Sequence, residues 1–340
     1  ENFKRFHPKP EEVQCSNPIE EPDFIKPYFG LRLFPVWHIG TDYLHEIGKN
    51  WYTHLTDNGV EFIWNTKVTD IDFDNQMVIY DSDKIKGIKG YGKLIFGVGK
   101  SGIDFGKQLA ERYKLPTEPK PVQIGVRFEA PQHHFQKLID ISYDFKLYKK
   151  YDNVSLRSFC TNNNAAFVAV EDTYGNHSYN GHAKKDMSYR NDMTNFGILM
   201  EIRDIDKPFD WSRAAVDKLQ HEGVGMFYSP SQRVPSKTSE GDYVECHVVD
   251  SIDVLYDAIG EYAIHIEDFI MDLEKVFPTL GKDWGIYMPE VKYLSPEPLV
   301  NYDDLSLTRF PNVHFVGDAL SARGITVSGA QGTYVVESLL

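Results

Sequence analysis

Cysteine is scarce in this sequence. Its 340 residues contain three, Cys15, Cys160 and Cys246, odd in number and far apart. They form no C-x-x-C pair and no set with metal-ligand spacing, which excludes a thiol redox motif and a structural zinc site. So few thiols fit a reducing, cytoplasmic compartment and leave any electron transfer to a bound cofactor. Positive charge is also short: 36 Lys and Arg face 50 Asp and Glu, for a formal net charge of −14. A nucleic-acid partner requires a basic face to neutralise phosphates, so composition argues against one. The local basic group Lys184, Lys185 and Arg190 reads as a solvated loop. No apolar run approaches the roughly 18 residues that a membrane span requires, and no basic-then-apolar leader opens the sequence. No internal repeat is apparent. The chain opens on Glu1 and stops at Leu340 inside a helical pattern, so further sequence is expected at one or both ends.

Apolar residues are plentiful. They make up 41% of the chain, with 20 Tyr and 21 Phe, enough for sizeable cores and large buried planar surfaces. The length predicts two domains. Residues 1–36, rich in Pro, Lys and Glu and without a period, read as an irregular arm or insertion. Leu44, Ile47, Trp51 and Leu55 recur at helical spacing after the candidate N-cap Thr41, and Asn58-Gly59 ends that helix. Strands are expected at 60–64, 67–73, 77–80 and 93–96, with a helix over 103–113. Residues 37–120 thus form an α/β unit with an inserted β-meander. From Pro121 the strands 122–128, 155–160, 165–170 and 197–202 are joined by polar loops. They predict a mostly antiparallel α+β domain over 121–300, interrupted by helices near 211–221 and 262–276. The Ser-, Pro- and Gly-rich stretch 228–243 reads as a mobile or binding loop. Residues 301–340 return to α/β grammar, with a strand at 313–316 and a closing helix.

Two glycine-bearing turns carry the chemistry. The first, Gly97-Val98-Gly99-Lys100-Ser101-Gly102, follows a strand and precedes a helix, so it satisfies the dinucleotide spacing G-x-G-x-x-G. Free N–H groups at such a helix start attract an anion. A P-loop is excluded because its first required glycine falls on Leu94. A first Rossmann turn requires an acidic strand end about 20 residues later. The loop Leu115-Pro116-Thr117-Glu118-Pro119 occupies that window, so the turn fits better as a later element of such a domain. A glycine turn that merely joins strand to helix has the same spacing. The second segment ends a strand at Gly317-Asp318 and continues through Ser321-Ala322-Arg323-Gly324 into a small-residue helix start, Thr326-Val327-Ser328-Gly329. A carboxylate at a strand tip accepts hydrogen bonds from sugar hydroxyls, and the helix start offers positive potential to a flat, electron-rich ring. An ordinary strand–Asp cap–helix joint looks similar.

Together these pieces resemble the two-domain, glutathione-reductase-like class of FAD enzymes. The resemblance implies a Rossmann-like FAD-binding domain with an inserted β-meander, in which Asp318, preceded by Gly317, takes the ribityl chain. Thr326, Val327, Ser328 and Gly329 would then line the flavin. Gly97, Val98 and Gly99 would form the second glycine turn, and Val68 would lie near the adenine. A narrower likeness is to a poorly characterised family of bacterial FAD-dependent dehydrogenases. It runs through His38-Ile39-Gly40-Thr41-Asp42, Gly99 to Asp104, Ile124 to Glu129 with Pro131-Gln132, Ser158-Phe159-Cys160, Asn180-Gly181 and Gln232-Arg233-Val234. The chain departs from that family in having Gly317-Asp318-Ala319 in place of Gly-Glu-Gly. It also carries Thr161-Asn162-Asn163-Asn164 where the family is glycine-rich. The N-terminal strand–GxGxxG–helix that holds the FAD pyrophosphate is not visible. It is expected before Glu1 if the chain binds FAD well.

The resemblance implies an oxidoreductase that exchanges hydride with a small-molecule substrate, with NAD(P)H as a candidate partner. The alternatives are a non-catalytic flavin- or nucleotide-binding subunit and, less favoured by charge, an RNA-modifying flavoenzyme. His133, His134, Cys160 and Arg233 are weak catalytic candidates, with His38 and His182 behind them. Each is individually more often a structural or surface residue. No metal site is expected.

Overall fold

The computed structural model describes every residue except 1, 14, 17–21, 83–85, 295 and 323, so Arg323 of the C-terminal segment lies outside the described residues. In chain order the longer elements are α1 (Leu44–Asp57), β1 (Thr66–Asp72), β2 (Met77–Ser82), β3 (Lys86–Gly90), β4 (Leu94–Phe96), α2 (Ile103–Arg112), β5 (Val122–Pro131), β6 (Lys146–Lys150), β7 (Val154–Asn164), β8 (Ala166–Thr173), β9 (Asn176–Ala183) and β10 (Met193–Ile202). They continue with β11 (Val224–Tyr228), α3 (Ala263–Val276), β12 (Gly285–Lys292), β13 (Phe310–Phe315) and α4 (Ile325–Leu339). The chain is mixed α/β and forms two compact units. No described helix is long and apolar enough to cross a membrane.

The first unit comprises Glu1–Asn58, Val122–Asp206 and Asp210–Lys292. Its frame is a nine-stranded sheet in the order Gln220–His221, β11, β12, β5, β10, β7, β6 and Gly30–Arg32, with His247–Val249 running parallel to β11. The remaining pairings are antiparallel. Strand β5 sits centrally and is almost wholly buried, so alternation sorts its side chains between two covered faces. Ile124, Val126 and Phe128 project to an aromatic core. There Phe196 meets Phe128 at 5.1 Å, Phe145 at 5.5 Å and Phe135 at 5.6 Å between ring centroids. Helix α3 adds buried Ile266, Phe269, Ile270 and Leu273. Arg127 and Glu129 project to the opposite face, which the β8–β9 hairpin covers with Val168 and Tyr179, clustered with Phe227, Val244 and Tyr287.

The second unit comprises Gly59–Pro121, Lys207–Phe209 and Tyr293–Leu340. It holds the meander β1–β2–β3 and a four-stranded sheet in which β4 lies at one edge, parallel to β13. Phe96 and Phe315 stand side by side at 4.7 Å between centroids, above a core that includes Phe73, Leu109 and Val313.

Several expectations are corrected. Residues 60–64 form no strand despite their apolar character: no described strand pairs with them, and Trp64 is 63% exposed. The meander takes its third strand from β3, a polar, glycine-bearing run that apolar periodicity misses. Residues 1–36 are not wholly irregular, because Gly30–Arg32 joins the large sheet beside β6 and Cys15–Ser16 pairs with Val36–Trp37. Strands of two or three residues show no period, and only a partner reveals them. Helix α1, grouped by sequence with the residues after it, packs in the first unit, where Trp51 stacks on Phe6 at 5.6 Å. Thr41 opens a 3-10 turn ahead of α1 and makes no side-chain cap.

Phe196 joins three rings in the fully buried core. Phe196→Ala is expected to lower unfolding free energy by roughly 3–5 kcal/mol, read from urea denaturation; a loss below about 1 kcal/mol would show the aromatic cluster to be dispensable.

Candidate functional sites

In the second unit, parallel pairing sets Val313 beside Leu94 and Phe315 beside Phe96, so β4 and β13 end at the same edge. Both glycine turns leave from there. Gly97 follows β4, and a Cβ built on it would stand 3.0 Å from Val316 Cγ2, so glycine is what lets the two strand ends close up. Gly317 has φ +64°, and its N–H donates to Gln331 Oε1 of α4 at 2.8 Å, which ties the turn to the helix. Gly99 and Gly324 also adopt positive φ, at 64° and 100°. Ser328 Oγ donates to the Ala322 carbonyl at 3.1 Å and closes the loop onto the first turn of α4, where Thr326, Val327 and Gly329 are exposed. Asp318 lies in the short helical turn Gly317–Leu320, half-buried.

Beside β4 a cleft of about 810 Å³ is lined by Val68, Ile95, Gly97, Val98, Ser101 and Asp104, among others. Of the expected cofactor residues, Val68, Gly97 and Val98 therefore share one wall. Gly99 lies just past that wall, while Gly317 and Asp318 end the adjoining strand. Thr326 to Gly329 open the helix that Gln331 fastens to the Gly317 turn. No described strand pairs with the outer edge of β4. The thiol candidates offer no metal chemistry, and no group of His, Cys, Asp and Glu among the described residues has metal-binding geometry.

The first unit gathers the weak catalytic candidates into two places. His133 and His134 lie with their rings tilted at 43° and 3.9 Å between centroids, beyond the end of β5. His134 Nδ1 lies 3.1 Å from Thr279 Oγ1, and its Nε2 lies 3.4 Å from Asp283 Oδ2. Asp283 also takes an ion pair from Arg233, whose loop is pinned by Ser229 Oγ donating to the Trp284 carbonyl at 2.7 Å. Burial depresses the His134 pKa and outweighs the pull of Asp283. This cluster explains what positions Arg233.

Cys160 lies elsewhere. Instead of ending a strand it occupies a bulge within β7, at φ +51°, because the register with β10 shifts between Phe159 and Asn162. The bulge turns its carbonyl to Arg127 Nη1 at 3.0 Å and Asn162 Nδ2 at 2.9 Å. Cys246 is an apolar thiol pushed up to about 12 by burial. His182 is held below its ordinary value by burial, and His38 falls to about 4 for the same reason, against the pull of Asp144.

Cys160 thereby borders a buried polar layer that sequence reading did not single out. Arg127 is 0% exposed; its Nη2 donates to Glu290 Oε1 at 2.7 Å and Asn180 Oδ1 at 3.1 Å. Its Nη1 also reaches Asn195 Oδ1 at 3.4 Å. Glu129 accepts from Ser236 and Tyr287. Gly197 leaves room for the layer: a Cβ there would meet Glu290 Oε2 at 2.6 Å and Phe159 at 2.3 Å. Arg127 Nε, Glu129 Oε2, Asn195 Nδ2 and Glu290 Oε2 are buried without hydrogen-bond partners in the structure. The signal was present in Gly125-Val126-Arg127-Phe128-Glu129, where charges alternate with buried apolar residues and so must share a face.

No family model and no curated protein matches the chain. Among solved structures it superposes on a triple mutant of the flavin-dependent brominase Bmp2 with a TM-score of 0.41 and 14% identity. The match covers 93% of this chain and 64% of that one. A superposition this loose carries no argument, and the assignments below rest on the chain's own residues.

Burial pushes the Glu290 pKa up to about 7, against the pull of Arg127. Between its ordinary 4.5 and about 7 the folded chain therefore keeps a proton that the unfolded chain releases. Stability attributable to this group falls as pH rises through that window and levels off above it. Glu290→Gln is expected to remove this component, so denaturation midpoints of wild type and variant should converge at low pH and separate as pH rises to 8. Parallel curves would place the Glu290 pKa near its ordinary value.

Proposed function

We propose that this chain is the greater part of an FAD-dependent oxidoreductase of dehydrogenase or reductase type, with a Rossmann-like flavin domain in the second unit. The observation that carries the reading is the parallel pair β4 and β13, which delivers the glycine turns at Gly97 and Gly317 to one edge. Carboxyl ends of adjacent parallel strands are where α/β sheets bind ligands. The mostly antiparallel first unit is assigned to the small-molecule substrate.

The residues present fit the ribityl and ring half of FAD. The missing Cβ of Gly97 admits a close backbone approach, and the exposed first turn of α4 presents N–H groups to an electron-rich edge. Asp318 is assigned to the ribityl hydroxyls as acceptor, and Thr326 to Gly329 to the ring edge. Val68, Gly97, Val98 and Gly99 are assigned to the opposite flank, towards the adenine. No further glycine-rich strand–turn–helix among the described residues supplies a pyrophosphate cradle. Bound flavin supplies hydride chemistry at its N5, with NAD(P)H or an organic molecule as the other party. The chain's own task is to bind, orient and exclude water. Three dispersed cysteines suit a cytoplasmic setting.

The full-length gene product should purify with a flavin absorption band that NADH or NADPH bleaches without oxygen. A colourless full-length protein would sink the assignment, and a band that no reductant bleaches would reduce it to a binding module. Asp318→Ala removes one charge-assisted hydrogen bond and should weaken flavin retention roughly ten- to a hundredfold, by about 1.5–3 kcal/mol. Unchanged flavin content in that variant would reject the ribityl role.

A further inference from the structure

The sheet of the first unit carries a basic cleft that none of the chemistry above uses. Antiparallel register aligns Arg32 with Lys146 and sets Tyr148, Arg157 and Leu199 in a second row. A third row runs Lys150, Ser155, Glu201, Gln123 and Lys292. The pleat puts all these side chains on one face. All of them except Lys292 line a cleft of about 450 Å³, with Phe34 and Phe159 contributing rings. Lys149, between Tyr148 and Lys150, turns to the other face, where Asp272 pairs with it at 2.6 Å.

Carboxylates neutralise only part of this charge. Glu201 pairs with Arg203 and Asp144 with Lys146. Arg32, Lys150 and Arg157 are exposed and have no carboxylate partner among the described residues. In a chain of net charge −14, three unneutralised cations on one face repel one another and focus a positive field into the cleft. The aromatic content is equally specific. Tyr148 lies over Gly30, where any Cβ would meet its ring at 2.1 Å, and the Arg32 guanidinium stands 5.1 Å from the ring centroid. Lys292 caps Phe159 at 4.0 Å, and Phe34 is left 46% exposed. The volume lies in the range of small-molecule sites and is short of the extended stripe that a nucleic-acid strand follows.

We propose that this cleft binds a small nucleotide bearing two or more phosphate groups. Arg157, Lys150 and Arg32 hold the phosphates, and Phe34 and Tyr148 pack against the base. The proposal stands apart from the flavin assignment, whose residues all lie in the other unit.

Titration of the full-length protein with NADPH at low salt, with inorganic pyrophosphate and a single-stranded oligonucleotide as comparison probes, tests it. NADPH should bind in the micromolar range, weaken as salt rises, and bind about tenfold or more tightly than pyrophosphate. The double variant Lys150→Glu/Arg157→Glu should lose at least about tenfold in affinity with an unchanged melting temperature. Lys137→Glu, an exposed charge outside the cleft, should bind as the wild type does. If the double variant fails to fold, Lys150→Ala alone should still weaken binding severalfold. Four results would each overturn the proposal: no NADPH binding, binding indifferent to the cleft variants, pyrophosphate as tight as NADPH, or an oligonucleotide that NADPH cannot displace.

Discussion

A guanidinium cannot be left dry and unpaired in a protein interior, and much of the first unit is arranged around that constraint. Arg127 sits at the centre of its most buried strand, where ionisation costs several kcal/mol unless partners replace water. Those partners come from four other strands: Glu290 on β12, Asn180 on β9, Asn195 on β10 and the bulged carbonyl of Cys160 on β7. Each bond ties an element distant in sequence to β5. The hairpin over this face is held by a polar requirement as much as by the apolar cluster around Tyr179 and Tyr287. The same requirement explains Gly197, since a side chain there would collide with Glu290 and Phe159.

The two faces of the sheet divide the labour. One is a close-packed aromatic core against α3, which supplies cohesion. The other carries polar and ionisable groups, buried beneath the hairpin and open in the basic cleft beside it. Phe159 marks the change, with Arg127 at 5.6 Å and Lys292 at 4.0 Å from its ring. A charged layer confers little stability on a fold, because desolvation consumes most of the Coulombic gain.

The second unit works differently. Its polar content lies in backbone: glycine turns at two parallel strand ends and the first turn of a helix. Such groups carry fixed dipoles that do not titrate. The cleft beside β4 is lined mostly by apolar and small residues and complements these turns.

Local pattern was enough for the longer elements. Strand-like runs between polar loops marked β5, β7 and β10, helical spacing marked α1, and glycine placement marked the turns at 97–102 and 317–329, because each depends on neighbours in sequence. The first three expected cofactor positions, Val68, Gly97 and Val98, do share a wall, yet only the parallel pairing of β4 with β13 brings Gly317 beside them. The catalytic candidates fared less well. His134 and Arg233 meet at Asp283, a residue no motif indicated, and Cys160 drops into a bulge that register alone creates. Alternation in its own strand marked Arg127, but Glu290 and Asn195, like Arg32, Lys150 and Arg157, are scattered through the chain and carry no spacing signature. Sequence by itself determined which way each side chain points from its own strand. Which of them meet was decided by tertiary structure, since strand order and register set the neighbours across a sheet.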